Sequence, residues 1–352
     1  MKVFKFGGAS IQSPESVKQL AQIVHAAKAS PLVIVVSAMG KTTRTLEGIF
    51  QQKMVAQSYD SAIEQLGAFH QDIIDRLFKE QQQDASRALT AWKKQLIDLL
   101  SIPAAAISSD KLYSQVVAQG ELLASQLIHY YLQEQHVLCV QLDARNYIKT
   151  NLGFCNAQVD EVATKNKVKQ DFGPLLAQGQ IVLTQGFIAS NAAGETTTLG
   201  KEGSDFKGAL LAAALEAQSI TVWKDVPGVM NADPKRFRNA TKLDHISYQT
   251  MVAMACNGAK VVHPRTIQPL AEHSIPLYVK PFHHPEEAGT AVVHEPMGID
   301  QPLCTLREDQ GLLQLDLKGW ACFDEERLQA ILSQLTQQGM RAHMLVMEAR
   351  TL

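Results

Sequence analysis

The sequence predicts an α/β protein with three αβα layers, in which helices cover both faces of a mainly parallel central sheet. A short apolar strand at 2–6 is followed by a helical pattern and then by the apolar strand LVIVV at 32–36. This strand, helix, strand order is typical of a parallel sheet. Further apolar runs recur with room for a helix between them, at 137–142, 181–184, 220–223 and 275–279.

Helix signals occupy the intervals between these strands. Ser13 is a favoured N-cap residue, Pro14 suits the first helical position, and apolar residues then recur at helical spacing until Pro31. A long, glutamine-rich, helix-prone segment at 46–101 predicts a helical excursion from the sheet. Two further helices are expected at 120–134 and 205–217.

A change in composition divides the chain. We expect a main domain over 1–295, a linker at 296–303 and a small C-terminal unit over 304–352. Roughly fifty residues are few for an independent hydrophobic core. The pattern of the small unit predicts one βαβ unit, with a strand around 311–317, a helix at 324–338 and a strand at 342–348.

The overall charge and composition exclude several classes of protein. The formal net charge is −2 at pH 7, and no long block of one sign indicates a nucleic-acid or membrane partner. No apolar run is long enough to cross a membrane, and no signal peptide is recognised. The five cysteines are scattered without a CxxC pair, which argues against a disulfide framework and against a zinc site. We therefore expect a cytoplasmic protein.

Three loops rich in glycine and hydroxyl groups each follow an expected strand. In KFGGAS, Lys5 ends the first strand, and Gly7 and Gly8 allow the backbone N–H groups to approach an anion. VVSAMGKTT at 35–43 and TTTLGKEGSDF at 196–206 have the same character. Each loop alone could be an ordinary strand-to-helix turn. Because ligands of open α/β sheets bind at the carboxyl ends of the strands, the three together predict a phosphate-binding site.

Motifs of other phosphate-binding proteins do not occur in the sequence. There is no GxxxxGK[ST] of the P-loop NTPases, and no HRD or DFG of the protein kinases. No GxGxxG with a following acid supports a dinucleotide-binding fold. Asp205, which begins a helical stretch, could by itself be only a helix cap.

Six segments resemble, in order, those of the aspartate kinases of the amino acid kinase superfamily. They are KFGGAS, VVSAMGKTT, QGELLAS, TTTLGKEGSDF, KDVPGVMNADP and NGAKVVHP. The resemblance covers residues 1 to about 295 and implies the amino acid kinase fold. It implies that ATP, with Mg²⁺, phosphorylates the β-carboxylate of L-aspartate to 4-phospho-L-aspartate, the first step towards lysine, threonine and methionine. A carboxylate is already ionised at neutral pH, so positioning and charge stabilisation suffice and no general base is needed.

The resemblance also implies roles by position. Lys5 and Asp205 would be catalytic, with Lys5 neutralising charge on the transferring phosphoryl group. Glu121 would bind the α-ammonium group of the substrate, and Lys201 its α-carboxylate. The implied substrate-binding residues are Ser37, Thr43, Glu121, Phe187, Lys201 and Ser204. The implied nucleotide-binding residues are Lys5, Gly7, Gly8, Ser10, Lys224, Asp225, Met230, Lys235 and Lys260. No metal ligand is implied, and His263 and Pro264 are expected to be structural.

Several positions depart from the family pattern. Ala9 replaces a threonine, and Lys201 stands where an arginine usually grips the substrate carboxylate, so we expect weaker aspartate binding. Most members carry two ACT domains of βαββαβ topology, whereas the single βαβ unit here resembles a partial ACT domain. The resemblance therefore leaves open whether an amino acid inhibits this protein by feedback. The exposed edge and apolar face of such a unit predict a homodimer.

Two other functions stay open at this point. A sister activity could phosphorylate another carboxylate, a phosphate or a carbamate. A non-catalytic regulator with a kinase fold could bind amino acids and ATP without turnover. The retention of Lys5, Glu121 and Asp205 favours the kinase.

Overall fold

The structure, a computed structural model, describes residues 1–259, 261–294, 301–308, 310–316, 324–340 and 342–346. It divides into two units, Met1–Leu306 and Arg307–Leu352. The strands are β1 (Lys2–Phe6), β2 (Leu32–Val36), β3 (Cys139–Leu142), β4 (Lys149–Thr150), β5 (Ile181–Gln185), β6 (Ile188–Asn191), β7 (Thr196–Thr198), β8 (Ser219–Lys224), β9 (His245–Ser247), β10 (Leu277–Pro281) and β11 (Thr290–Val293).

Helices surround these strands. In the first unit they are α1 (Pro14–Ala27), α2 (Thr42–Met54), α3 (Asp60–Leu77), α4 (Gln82–Ser101), α5 (Ser109–Glu134), α6 (Ala144–Tyr147), α7 (Glu161–Ala177), α8 (Gly203–Ala214), α9 (Tyr248–Cys256) and α10 (Pro264–Glu272). The second unit contains α11 (Glu325–Gln337). Among the described residues, none of the helices has the length and apolar character required to cross a membrane.

A mainly parallel sheet of eight strands forms the centre of the first unit, as the sequence predicts. The strand order is β3-β5-β2-β1-β8-β10-β11-β9, and only the β10–β11 pair is antiparallel. Alternate residues of a strand face opposite sides of a sheet. Thus Phe4 lies in the core with α1 to α5, whereas Val3 lies in the core with α7 to α10. These two cores produce the three predicted layers.

The strand and helix predictions hold at several positions. The strands predicted at 2–6 and 32–36 are β1 and β2. Ser13 caps α1, because its Oγ accepts the N–H of Ser16 at 3.2 Å while Ser16 Oγ accepts the N–H of Ser13 at 2.8 Å. Pro14 is the first residue of α1. This reciprocal pair satisfies two backbone donors that a helix start leaves open.

Other boundaries differ from the prediction. The segment at 46–101 contains most of three helices, the first of which already begins at Thr42. The helix expected from residue 120 begins at Ser109, where Ser108 supplies the N-cap. The third glycine-rich loop follows β7, and β7 belongs to a separate sheet of order β4-β6-β7. Short strands such as β6 and β7 carry too few residues for their period to be read from sequence.

The second unit does not confirm the predicted βαβ pattern. Helix α11 matches the predicted helix at 324–338, and its N-cap Asp324 accepts the N–H of Arg327 at 2.9 Å. The described residues of the two predicted strands, 311–316 and 342–346, form no named strand. A single βαβ unit offers each strand at most one neighbour, which is marginal for a sheet. The predicted linker at 296–303 lies largely outside the described residues.

Candidate active site

A cavity of about 820 Å³ opens at the carboxyl ends of β1 and β2. The loops after these strands line it together with the loop between β7 and α8. The three glycine-rich loops therefore meet, as the sequence predicts. Ten of the predicted site residues line this cavity: Lys5, Gly8, Ser37, Thr43, Glu121, Phe187, Lys201, Ser204, Asp205 and Lys224.

Five of the other predicted residues are described by the structure but are not part of the cavity lining. They are Gly7, Ser10, Asp225, Met230 and Lys235. Ser10 is buried, and its Oγ donates to the backbone oxygen of Trp223 at 3.2 Å, which joins the first loop to β8. Lys235 is exposed in a turn, where its N–H donates to Asp233 Oδ1 at 2.9 Å. Lys260 lies outside the described residues.

Asp205 joins two lysines at the wall of the cavity. Its Oδ1 lies 2.5 Å from Lys5 Nζ, and its Oδ2 lies 3.1 Å from Lys224 Nζ. Lys224 also donates to the backbone oxygen of Val261. Burial favours the neutral form of Asp205, but the two lysines outweigh it and hold the pKa of this carboxyl below its ordinary value. Asp205 is therefore a carboxylate that fixes two ammonium groups beside the cavity.

The first two loops approach each other closely at Gly8. The N–H of Gly40 donates to the Gly8 oxygen at 3.0 Å. A Cβ at Gly8 would lie 2.7 Å from the Ala38 oxygen and 3.0 Å from the Gly40 oxygen. Because both neighbours are backbone atoms, a larger residue would push the loops apart.

Glu121 presents an unpaired carboxylate oxygen. It lies on α5 and is 2% exposed. Its Oε1 accepts the Ser204 hydroxyl at 3.1 Å, and Ser204 Oγ in turn accepts the N–H of Phe187 at 3.2 Å. Its Oε2 has no hydrogen-bond partner among the described residues. A buried oxygen of this kind is costly unless a ligand donates to it.

Two opposing effects determine the pKa of Glu121. Burial raises this pKa to about 7, while the charges of Lys207 and Lys5 and the hydroxyl of Ser204 act in the lowering direction. The carboxyl therefore changes its charge near neutral pH. A cationic group of a ligand would favour the ionised form.

Lys201 occupies a different position from these buried groups. It lines the cavity, is exposed, and forms no ion pair with any residue that the structure describes. Ser37 and Thr43 add hydroxyl groups to the lining. The cavity lining thus combines three lysines with the buried acids Asp205 and Glu121, and the Oε2 of Glu121 has no partner among the described residues.

The comparisons with known proteins agree with this geometry. The model of the amino acid kinase family matches residues 1–281. The chain belongs to the amino acid kinase family. Lysine-sensitive aspartokinase 3 of Escherichia coli K12 is 32% identical over 318 residues, which cover 89% of this chain and 69% of that relative. A chloroplastic bifunctional aspartokinase/homoserine dehydrogenase of Daucus carota is 30% identical over 92% of this chain and 34% of its own length. The chain thus spans about a third of such bifunctional relatives.

Solved aspartokinases also resemble this chain. The crystal structure of E. coli aspartokinase III with aspartate and ADP has a TM-score of 0.84 and 27% sequence identity, and covers 100% of this chain and 77% of that chain. The complex of the same enzyme with lysine and aspartate has a TM-score of 0.80 at 26% identity, over 100% of this chain and 78% of that one. Among the amino acid kinases, this chain is therefore similar to the aspartokinases.

Some residues near this amino acid kinase site were not predicted from sequence. Lys207 is fully buried, and its Nζ donates to the backbone oxygen of Ile188. The one feature of the sequence that points to Lys207 is a lysine in the otherwise apolar stretch FKGALLAAA.

Other residues of the site were also missed. In the cavity lining, the Tyr113 hydroxyl donates to Glu47 Oε1 at 2.8 Å. The guanidinium carbon of Arg265 lies 4.5 Å from the centre of the Phe206 ring. The backbone N–H of Arg265 donates to His263 Nδ1 at 3.2 Å. His263 caps α10, which is the structural role expected of it.

Proposed function

We propose that this protein is an aspartate kinase that converts L-aspartate and ATP into 4-phospho-L-aspartate and ADP. One observation carries the proposal. The Lys5–Asp205–Lys224 group and the unpaired Oε2 of Glu121 adjoin one cavity, in a chain similar to the aspartokinases. The product would enter the aspartate pathway towards lysine, threonine and methionine.

The chemistry requires charge stabilisation more than proton transfer. An oxygen of the substrate β-carboxylate forms a bond to the γ-phosphorus, and the bond from that phosphorus to the β,γ-bridging oxygen breaks. The electron pair of the broken bond stays on ADP. Lys5 and Lys224 would balance the charge on the transferring group, while Asp205 holds them in place.

Substrate recognition follows from the charges of the site. Aspartate carries one ammonium and two carboxylate groups at neutral pH. We assign the ammonium group to Glu121 Oε2 and the α-carboxylate to Lys201. Ser37 and Thr43 would donate hydroxyl hydrogen bonds, and Phe187 would limit the size of the pocket.

ATP is proposed as the phosphoryl donor because a related aspartokinase binds ADP together with aspartate. The described residues contain no group of three or more His, Cys, Asp or Glu side chains arranged to hold a metal ion. Mg²⁺ is a hard cation that binds substrate phosphates readily. We therefore propose that Mg²⁺ enters with ATP, bound mainly by the phosphate oxygens. The proposed nucleotide contacts outside the cavity lining are Gly7, Ser10, Asp225, Met230, Lys235 and Lys260.

The proposed reaction can be tested by trapping the acyl phosphate with hydroxylamine. We expect hydroxamate formation that depends on both ATP and L-aspartate. L-Glutamate, N-acetyl-L-glutamate, UMP and carbamate form the comparison panel, for which ADP formation is measured because phosphorylated UMP contains no acyl phosphate. A larger kcat/KM with another acceptor would show that this acceptor, and not aspartate, is the substrate. Binding of ATP and aspartate without turnover would instead indicate a regulator.

Changing Gly8 to alanine should reduce phosphoryl transfer. The new Cβ would lie 2.7 Å from a backbone oxygen, so the first two loops must separate. A displacement of about 1 Å in such a site costs roughly 100-fold in rate, which we expect for kcat/KM. Gly48→Ala is the matched control, because a Cβ there meets nothing within 4 Å. Equal activity of the two variants would contradict a requirement for close loop contact.

Changing Lys201 to arginine should strengthen aspartate binding. A guanidinium group can grip a carboxylate with two parallel hydrogen bonds, whereas an ammonium group acts as a point charge. We expect the aspartate KM to fall by about threefold to tenfold, with little change in kcat. Steady-state kinetics will measure both constants. An unchanged or higher KM would contradict the assigned role of Lys201. Lys165→Arg, on the exposed surface of α7, serves as the control.

We also propose that the protein is a homodimer. The second unit exposes large apolar side chains, among them Leu312 at 96% and Met344 at 83% exposure. Association of two copies would remove such a surface from water. Light scattering after gel filtration should report the mass of a dimer. We expect the Leu312→Lys substitution to weaken the association of the two copies. A monomer at every protein concentration would contradict the proposal.

A further inference from the structure

Gln185 is a buried residue outside the cavity lining that uses both ends of its amide group. It is the last residue of β5 and is 1% exposed. Its Oε1 accepts the backbone N–H of Ala144 at 2.8 Å, and its Nε2 donates to Ser125 Oγ at 2.8 Å. Because a backbone N–H can only donate, the contact with Ala144 fixes which end of the amide faces Ser125. The amide of Gln185 is therefore held in one orientation towards α5.

Ser125 connects this amide to the helix that carries Glu121. Ser125 is fully buried on α5, and its Oγ donates to the backbone oxygen of Leu122 at 3.0 Å. The same oxygen also accepts the Nε2 of Gln141 at 2.9 Å. Ser125 follows Glu121 by four residues, so the two side chains lie on the same face of the helix, one turn apart. The bond from Gln185 to Ser125 therefore fixes the turn of α5 from which Glu121 projects.

The carboxylate end of Glu121 is tied to the same stretch of chain, the segment 185–187. Ser204 Oγ donates to Glu121 Oε1 at 3.1 Å and accepts the N–H of Phe187 at 3.2 Å. A Cβ at Gly186 would lie 2.4 Å from Ser204 Oγ, so the segment packs directly against Ser204. The segment 185–187 thus holds Glu121 at both ends, through its helix and through its carboxylate.

We infer that Gln185 and Ser125 are positioning residues that hold Glu121 where its unpaired Oε2 can accept the ammonium group of the substrate. The hydrogen bonds form a closed ring, from Glu121 through Ser204 and the segment 185–187 to Ser125, and back along one turn of α5. The carboxylate can leave its place only if a buried hydrogen bond breaks, which is costly. This inference rests on the proposed function, because the ammonium group is that of aspartate. Neither positioning residue lines the cavity, so each would act on the substrate through Glu121.

The test breaks the link at either of its two ends. Ser125→Ala deletes the hydroxyl and places a strong helix former in α5, whereas Gln185→Met keeps the length of the side chain and deletes both amide contacts. We expect the aspartate KM to rise about tenfold in each variant, because a displaced Glu121 meets the ammonium group less well. The kcat and the KM for ATP should stay within about threefold of wild type, because the Lys5–Asp205–Lys224 group is untouched. Calorimetric titration with aspartate should show a matching increase in Kd.

Thr184→Val is the matched control on the same strand. Thr184 precedes Gln185, is fully buried, and shares a hydrogen bond with the Tyr147 hydroxyl. Neighbouring residues of a strand face opposite sides of a sheet, so Thr184 faces away from α5. The substitution leaves the hydroxyl of Tyr147 without this partner, so the protein should lose stability and keep the wild-type aspartate KM. The control therefore separates a general weakening of β5 from an effect on Glu121.

A double-mutant cycle with Glu121→Gln shows whether the effect passes through this carboxylate. If it does, Ser125→Ala should change the aspartate KM by less than about twofold once residue 121 is glutamine. Two independent effects would instead multiply, and that result would overturn the inference. A wild-type aspartate KM in the folded Ser125→Ala and Gln185→Met proteins would overturn it too. Loss of the fold in both variants would show that the link stabilises the domain as a whole, and would equally count against a role at the ammonium site.

Failure of the proposed function gives a different pattern, because it appears already in the wild type. A wild-type protein that neither phosphorylates nor binds aspartate would remove the reaction and this inference together. If the wild type binds aspartate without turnover, the Kd values from calorimetry decide the inference by themselves. Unchanged aspartate affinity in the variants of an active wild type would remove the inference alone.

Discussion

We expect replacement of Lys5 by alanine to abolish nearly all aspartyl phosphate formation while aspartate still binds. Lys5 Nζ lies 2.5 Å from Asp205 and beside the cavity, so the variant loses a positive charge where the transferring phosphoryl group would lie. Removal of one preorganised group that stabilises transition-state charge costs about 100-fold to 1,000-fold in kcat. We expect a loss at or above the upper value, measured by hydroxamate formation under saturating ATP and aspartate.

The control for this experiment is Lys2→Ala. Lys2 lies on the same strand but is exposed and does not line the cavity, so its removal should leave kcat unchanged. Because Lys224 Nζ lies 3.1 Å from Asp205 Oδ2, we expect the buried carboxylate to retain one partner in the Lys5 variant. Thermal unfolding and aspartate titration will establish that the variant folds and binds. Activity within tenfold of wild type would show that Lys5 does not stabilise the transferring group.

Replacement of Glu121 by glutamine should raise the aspartate KM far more than it lowers kcat. The carboxylate that would accept the substrate ammonium becomes a neutral amide in a fully buried position. Losing one partner of a buried charge pair costs about 2–5 kcal/mol. The lower part of that range is about 100-fold in affinity, and we expect a KM increase of about this size.

The pH dependence gives the same experiment a second result. In the wild type, the pKa of Glu121 is about 7, so aspartate binding should weaken as the pH falls through neutrality and the carboxyl gains a proton. Glutamine has no such titration, and the KM of the variant should be nearly independent of pH from about 6 to 8. Calorimetry with aspartate across this range will measure the effect.

Glu134→Gln is the matched control on the same helix. Its carboxylate accepts the backbone N–H groups of Lys79, Glu80 and Gln81, far from the cavity lining. This variant can lose stability but should keep the wild-type KM and its pH dependence. A Glu121→Gln protein that shows the wild-type profile would assign the titration to another group.

The sequence alone predicts the fold wherever local signals are strong. Apolar runs predict β1 and β2 because β2 is buried along its whole length and β1 is buried at every residue except Lys2. The Ser13–Pro14 pair predicts the start of α1, because capping depends on neighbouring residues. The glycine and hydroxyl loops predict Lys5, Ser37 and Asp205 as site residues, because such loops are also recognised from residues that are neighbours in the sequence. The six ordered motifs predict the family.

Only the tertiary structure decides what depends on distant residues. Glu121 and Ser204 are 83 positions apart, yet their hydrogen bond leaves Oε2 open. The pairing of Asp205 with both Lys5 and Lys224 depends on how β1, β8 and α8 meet. In the sequence, Lys207 is one polar residue in an apolar helix, and only the packing shows that it is fully buried and donates to the backbone oxygen of Ile188. Periodicity and local motifs carry no information about such partners. The sequence by itself therefore determined the long buried strands of the main sheet, the loops and the family, whereas packing decided which charges compensate one another.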